Sequence, residues 1–172
     1  MKLMALTFVR TSELIGAQWT ECDLENARWR ILTQRMKMKT EYIVPLASQT
    51  IEVLRTLQIA SGHSRLLFPG ERNHEKPMSN NTILEALKRM GYQGRMTGHG
   101  FRGVASTVLH EQGFDHEHIE LQLAHTERKS VSAAYNHAKY LDKRRILMNQ
   151  WANYFQASLG GKVLRPDFRQ VA

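Results

Sequence analysis

One cysteine, Cys22, stands in a chain of 172 residues. A lone thiol forms no intramolecular disulfide framework and no multi-cysteine zinc site, and it fits a reducing compartment. Long apolar runs are missing too, and nothing approaches the roughly 20 residues that span a bilayer. The first residues, Met1 to Ala5, carry one lysine before the chain turns polar at Thr11, Ser12 and Glu13, which is not a signal peptide. No internal repeat or low-complexity tract is visible. Carboxylates are scarce, 16 Asp and Glu against 24 Lys and Arg, for a net charge of +8. The eight histidines show no zinc spacing. His116 and His118, two apart, would point in different directions on a helix. No metal site and no cofactor are expected.

What is present is enough chain for one domain with a real core. The positive balance suits a polyanionic partner, nucleic acid before a membrane surface, although a merely basic soluble protein has the same balance. Leu3, Leu6, Phe8, Val9, Leu14 and Ile15 read as one helical pattern that begins almost at Met1 without an N-cap. The Trp19 region, then Trp29 to Leu32, and Tyr42 to Leu46 ended by Pro45, read as strands, with Glu25-Asn26 as a turn and Thr33 to Glu41 as a basic hairpin tip. Helices follow: from Ser48, with Ile51, Leu54, Leu57 and Ile59 on one stripe, to Ser61-Gly62; from Ser79 or Asn80 to Met90; from Gly98-His99-Gly100 to about Gln112; and from Asp115 to about Ala124. Ser130 to Ala138 reads as a short helix or turn, and Leu141 to Leu159 as an amphipathic helix. The class is α+β, mostly helical, with a small antiparallel sheet near the N-terminus. Trp19, Trp29 and Trp151 read as packing residues. Lys143-Arg144-Arg145 either contacts phosphate or solvates the start of the last helix.

The chemistry lies in a dispersed set: Arg10, Lys37, His99 with Arg102, His125, and Tyr135. Cationic donors around one phenol suit attack on a phosphate diester. Charge builds on the non-bridging oxygens, and fixed cations can stabilise it. Arginine is apt, because its planar fork donates two parallel bonds and stays charged. His99 and Arg102, three apart, would share a helix face at an N-terminus whose free N–H groups favour phosphate. A tyrosine hydroxyl has a pKa near 10 and needs nearby positive charge or a base. Each residue taken singly has a plainer reading. Arg10 could simply pair with Glu13, Lys37 and Lys39 could be solvated, His99 could cap a helix, and His125 and Tyr135 could be core. Tyr140 is the other candidate phenol.

Phe8-Val9-Arg10-Thr11-Ser12-Glu13-Leu14 resembles the first arginine box of the tyrosine recombinases, the phage integrase family. His99-Gly100-Phe101-Arg102 resembles its His-x-x-Arg box. Leu123-Ala124-His125, with Ala134-Tyr135-Asn136 ten residues on, resembles its third-histidine and nucleophile box. Arg35-Met36-Lys37, eight residues before Pro45, is similar to the hairpin tip of integrases of P4-like prophages and genomic islands. Four boxes in order over nearly the whole chain outweigh the plainer readings.

The resemblance implies a DNA breaking-rejoining catalytic fold with a three-stranded sheet. Arg10 and Arg102 would bind the scissile phosphate, with Glu13 supporting Arg10. His99 would accept the tyrosine proton, Lys37 would protonate the leaving 5′ oxygen, His125 would donate to the phosphate, and Tyr135 would form a 3′-phosphotyrosine link. Arg35, Lys39 and Lys129 would contact DNA. The resemblance further implies a double-stranded attachment site as partner, tetramers on two duplexes, no membrane, and a bacterial cytoplasmic, nucleoid-associated setting. It implies that residues 1–172 are a catalytic domain truncated at its start, without core-binding and arm-binding domains, and that the fragment binds DNA weakly and is monomeric. The rival readings are a non-catalytic DNA-binding or assembly remnant of an integrase, and an enzyme of type IB topoisomerase character.

Overall fold

The computed structural model of the chain describes residues 1–35, 42–125 and 140–160, Arg35 by its backbone only. The elements run α1 (Lys2–Thr7), α2 (Thr11–Ile15), β1 (Cys22–Asp23), β2 (Arg28–Ile31), β3 (Tyr42–Pro45), α3 (Ser48–Ser61), α4 (Asn81–Arg89), α5 (Gly100–Glu111), α6 (His116–Gln122) and α7 (Leu141–Leu159). Short 3-10 turns lie at Trp19–Glu21 and Thr33–Arg35. This is the expected class, mainly helical with one small antiparallel sheet. The expected helix or turn at Ser130 to Ala138 lies outside the described residues, as does most of the hairpin tip.

The opening apolar pattern forms two helices and not one. Phe8 enters the left-handed region (φ 38°) and closes α1 through its N–H on the Met4 carbonyl. Arg10 is then extended and stands at the N-cap of α2. A left-handed conformation at a residue other than glycine costs about 1–2 kcal/mol. Burial offsets it, for Phe8 is wholly buried and meets Trp151 edge to face, centroids 5.8 Å apart.

The sheet has the order β1-β2-β3, with Trp29 opposite both Cys22 and Val44, and Ile31 opposite Tyr42. Trp29 and Ile31 alternate inward from β2 while Arg30 faces out. Trp19 belongs to a 3-10 turn, and Leu32 lies past the strand and exposed. Pro45 is the last residue of β3, an edge strand, where its missing N–H is tolerated.

On α3, Ile59 departs from expectation and is 88% exposed. Five residues beyond the buried Leu54, it has rotated well off the inward face. On α7 the buried residues are Arg144, Leu147, Met148, Trp151 and Ala152, the spacing of one inward stripe. This helix packs against α1, α3, α5, α6 and β3. Trp151 Nε1 donates to the Ala5 carbonyl at 2.8 Å, which fixes α7 on α1. Among the described residues no helix is long and apolar enough to cross a membrane.

Candidate active site

Arginine 10 reaches its place through the break between α1 and α2. At the N-cap its backbone N–H donates to Glu13 Oε2 and its Nη1 to Glu13 Oε1, both at 2.8 Å. The reach back from the third helical position is half of a capping box. Both oxygens of this buried carboxylate are thus occupied by one residue. Arg10 Nη2 donates to the Ala124 carbonyl at 3.0 Å, across 114 positions of sequence.

Arg102, in the first turn of α5, is 4% exposed. Its Nη1 donates to the Phe8 carbonyl at 2.9 Å, and its Nη2 to the Leu123 carbonyl. Nη2 also lies 3.1 Å from His125 Nε2. Burial, and then the charge of Arg10, hold this guanidinium below the usual arginine value. It still remains cationic at any working pH. No described residue takes its Nε–H or the second N–H of Nη1.

Two helix ends, those of α1 and α6, supply the carbonyl partners of these arginines. Helices α4 and α5 close with Gly91 (φ 81°) and Gly113 (φ 77°), followed by N–H bonds from Tyr92 to the Leu87 carbonyl and from Phe114 to that of Leu109. Helix α6 closes in the same way with Ala124 (φ 48°): the His125 N–H donates to the Glu120 carbonyl and the Ala124 N–H to that of Leu121, each at 3.0 Å. This Schellman turn aims the Leu123 and Ala124 carbonyls at the arginines and brings His125 beside Glu120. Buried Arg144 holds the turn from behind. It donates to Gln122 Oε1 at 3.0 Å and to the Ile43 carbonyl at 2.6 Å, with its guanidinium 5.1 Å over the Tyr42 ring. The Tyr42 hydroxyl donates to the Gln122 carbonyl. Arg144 therefore neither meets solvent nor stands ready for phosphate.

His99 stands just ahead of α5, exposed, and lines an open cleft of about 440 Å³ with Arg10, Thr11, Ser12, Asn80, Asn81 and Arg102 among others. The close approach depends on Gly98, where a Cβ would fall 2.4 Å from Thr11 Oγ1 and 3.0 Å from Met4 Cε. Of the N–H groups at this terminus, two are taken within the chain. Gly100 donates to the Thr97 carbonyl and hydroxyl at 3.0 and 3.1 Å, and the Arg102 N–H goes to the His99 carbonyl.

The structure thus brings Arg10, Glu13, Arg102 and His125 into one hydrogen-bonded group, with His99 on the cleft wall. Arg35 ends a 3-10 turn. Lys37, Lys39, Lys129 and Tyr135 lie outside the described residues. Sequence reasoning missed Glu120, which bonds His125 Nδ1 at 3.1 Å, and Arg144. The stripe spacing of Arg144 with Leu147, Met148 and Trp151 was the available signal for the second. Among the described residues no group of three or more His, Cys, Asp or Glu side chains is placed to hold a metal. His110 Nε2 and His116 Nδ1 share a 3.0 Å hydrogen bond.

Comparison with known proteins gives the family. The pattern of the phage integrase family matches residues 1–141. The integrase of Enterobacteria phage P4 is 45% identical over 170 residues, covering 90% of this chain and 39% of that protein. Prophage integrase IntA of Escherichia coli K12 is 37% identical over 166 residues, covering 96% and 40%. The chain thus spans about two fifths of the length of these curated relatives. The solved integrase of mycobacterium phage Brujita superposes with a TM-score of 0.63 at 19% identity, over 87% of this chain and 49% of that one. XerA recombinase superposes with a TM-score of 0.60 at 20% identity, over 83% and 56%. With a family pattern that takes in most of its length, the chain belongs to the phage integrase family, the tyrosine recombinases.

Proposed function

We propose that this chain is the catalytic domain of a site-specific DNA recombinase that integrates or excises a prophage or genomic island. The observation that carries the reading is the pairing of Arg10 and Arg102. They come from elements 92 positions apart, are anchored by Glu13 and three backbone carbonyls, and both line one cleft. Anchored guanidiniums cost little reorganisation when charge develops on a phosphate.

In this reading the scissile phosphate enters the cleft and its non-bridging oxygens take N–H groups of the two arginines. The Tyr135 oxygen attacks phosphorus as His99 accepts its proton. The bond to the 5′ oxygen breaks, and Lys37 protonates the leaving group. A 3′-phosphotyrosine ester and a free 5′ hydroxyl result. The ester conserves the bond energy, so attack by the 5′ hydroxyl of a second strand reverses the step without ATP. Arg35, Lys39 and Lys129 would grip the flanking backbone, and four protomers would act on two duplexes.

The test incubates the chain, alone and joined behind the N-terminal part of the phage P4 integrase, with a nicked suicide duplex carrying the attachment site. A covalent adduct that is lost in Tyr135→Phe is expected. DNA retention without adduct from the joined protein would overturn the enzymatic reading in favour of a binding remnant. Relaxation of supercoiled DNA without site preference would favour topoisomerase chemistry.

A further inference from the structure

The role expected of His125, donation to phosphate, conflicts with its hydrogen bonds as found, and the conflict leads to Glu120. The ring is engaged at both nitrogens: Nδ1 lies 3.1 Å from Glu120 Oε2, and Nε2 lies 3.1 Å from Arg102 Nη2. A guanidinium only donates, so Nε2 faces Arg102 with its lone pair. A carboxylate only accepts, so Nδ1 faces Glu120 with its proton. Both contacts demand the same tautomer. The side chains of His125 and Glu120 are 47% and 31% exposed, so packing does little to fix the ring. The pairing is built into the backbone, because the turn at Ala124 joins the His125 N–H to the Glu120 carbonyl at 3.0 Å and sets the two side chains together.

We propose that Glu120 is a positioning residue for His125, holding its Nδ1–H so that Nε2 points at the phosphate site. The inference rests on the reading of this cleft as the place of DNA cleavage. When a phosphate oxygen arrives, it draws the Arg102 Nη2–H to itself and frees Nε2. A ring that carries a proton on each nitrogen donates from Nε2 to that phosphate. Nδ1–H stays on Glu120, whose negative charge faces the imidazolium. Arg102 from α5 bonds the ring at Nε2, and Glu120 is the described carboxylate in contact with it. The logic is that of a carboxylate orienting a histidine whose far nitrogen does the chemistry.

Ring-nitrogen NMR on the 172-residue chain tests the tautomer directly. His125 is expected as Nδ1–H in the wild type and in Glu120→Gln, whose amide oxygen still accepts, and as a population shifted towards Nε2–H in Glu120→Ala. An Nε2–H ring in the wild type, or a ring unchanged by Glu120→Ala, overturns the proposal. The kinetic arm follows adduct formation on the nicked duplex. Glu120→Ala is expected to slow it about tenfold. Glu120→Gln should restore much of the rate, and Glu120→Ala should add no further loss in a His125→Ala background. Equal slowing in both backgrounds overturns the proposal. A wild type that forms no adduct sinks the cleavage reading instead and leaves the NMR result to decide on Glu120.

Discussion

Replacing Arg102 by lysine separates the structural from the chemical duty of the two arginines. Arg102 ties the end of α1, through the Phe8 carbonyl, to the end of α6, through the Leu123 carbonyl. A lysine brings one ammonium on a flexible stem and cannot span both acceptors. At least one carbonyl at a 4% exposed site then loses a charged donor, which costs about 2 kcal/mol, within a range of about 1–3. For a chain of this size that lowers Tm by roughly 4–8 °C, at about 2–4 °C per kcal/mol. Arg10→Lys is the control. Arg10 is 26% exposed, and an ammonium can still reach the Glu13 carboxylate while giving up the Ala124 carbonyl, so its loss should be smaller, about 1 kcal/mol. Thermal unfolding of wild type and both variants in one buffer reads the difference. Equal shifts, or an Arg102→Lys shift under about 1 °C, would refute the claim that Arg102 is a tie within the fold as well as a phosphate ligand.

Three further outcomes are expected. Gly98→Ala should lose about 1–3 kcal/mol, because its Cβ would meet Thr11 Oγ1 at 2.4 Å, and Thr11→Ala should restore part of that loss; denaturant titration checks both. Ala124→Gly should stabilise the chain by roughly 1 kcal/mol by relieving a left-handed alanine, and a lower denaturation midpoint would contradict this. Tyr42→Phe removes the hydroxyl bond to the Gln122 carbonyl and should cost about 1 kcal/mol at neutral pH. Burial raises the Tyr42 pKa above its ordinary value near 10, so the folded state keeps this proton after the unfolded state has lost it. The hydroxyl's contribution is therefore fully present below about pH 10 and lost as pH rises through the folded value. The gap in Tm between wild type and Tyr42→Phe should shrink above about pH 10, and a gap that widens would show the sign to be wrong.

Much of this architecture was legible where a residue type has one physical reason to be there. Gly91 and Gly113 mark helix ends because glycine takes positive φ without strain, and Asp115 caps α6 by accepting the Glu117 N–H at 2.8 Å. The two breaks that build the site carry no such mark. Phe8 and Ala124 take left-handed conformations without glycine, held by burial and by the carbonyl bonds to Arg102 and Arg10. An apolar run therefore read as one helix, and Arg10 as lying on it. Arg144 was hidden because a basic triplet reads as solvated, while tertiary packing placed its middle member on the core stripe. Glu120 was silent because a contact five residues apart arises from the turn after a helix, not from helical periodicity.

Peptide mapping of the covalent adduct tests the central proposal most directly. The joined protein is trapped on the nicked duplex, digested, and the peptide carrying a nucleotide is identified by mass spectrometry. The label is expected on Tyr135, with none in the Tyr135→Phe variant. A label on Tyr140 or elsewhere, or one that survives Tyr135→Phe, would contradict the assignment of Tyr135 as the residue that bonds to DNA in the cleft between Arg10 and Arg102.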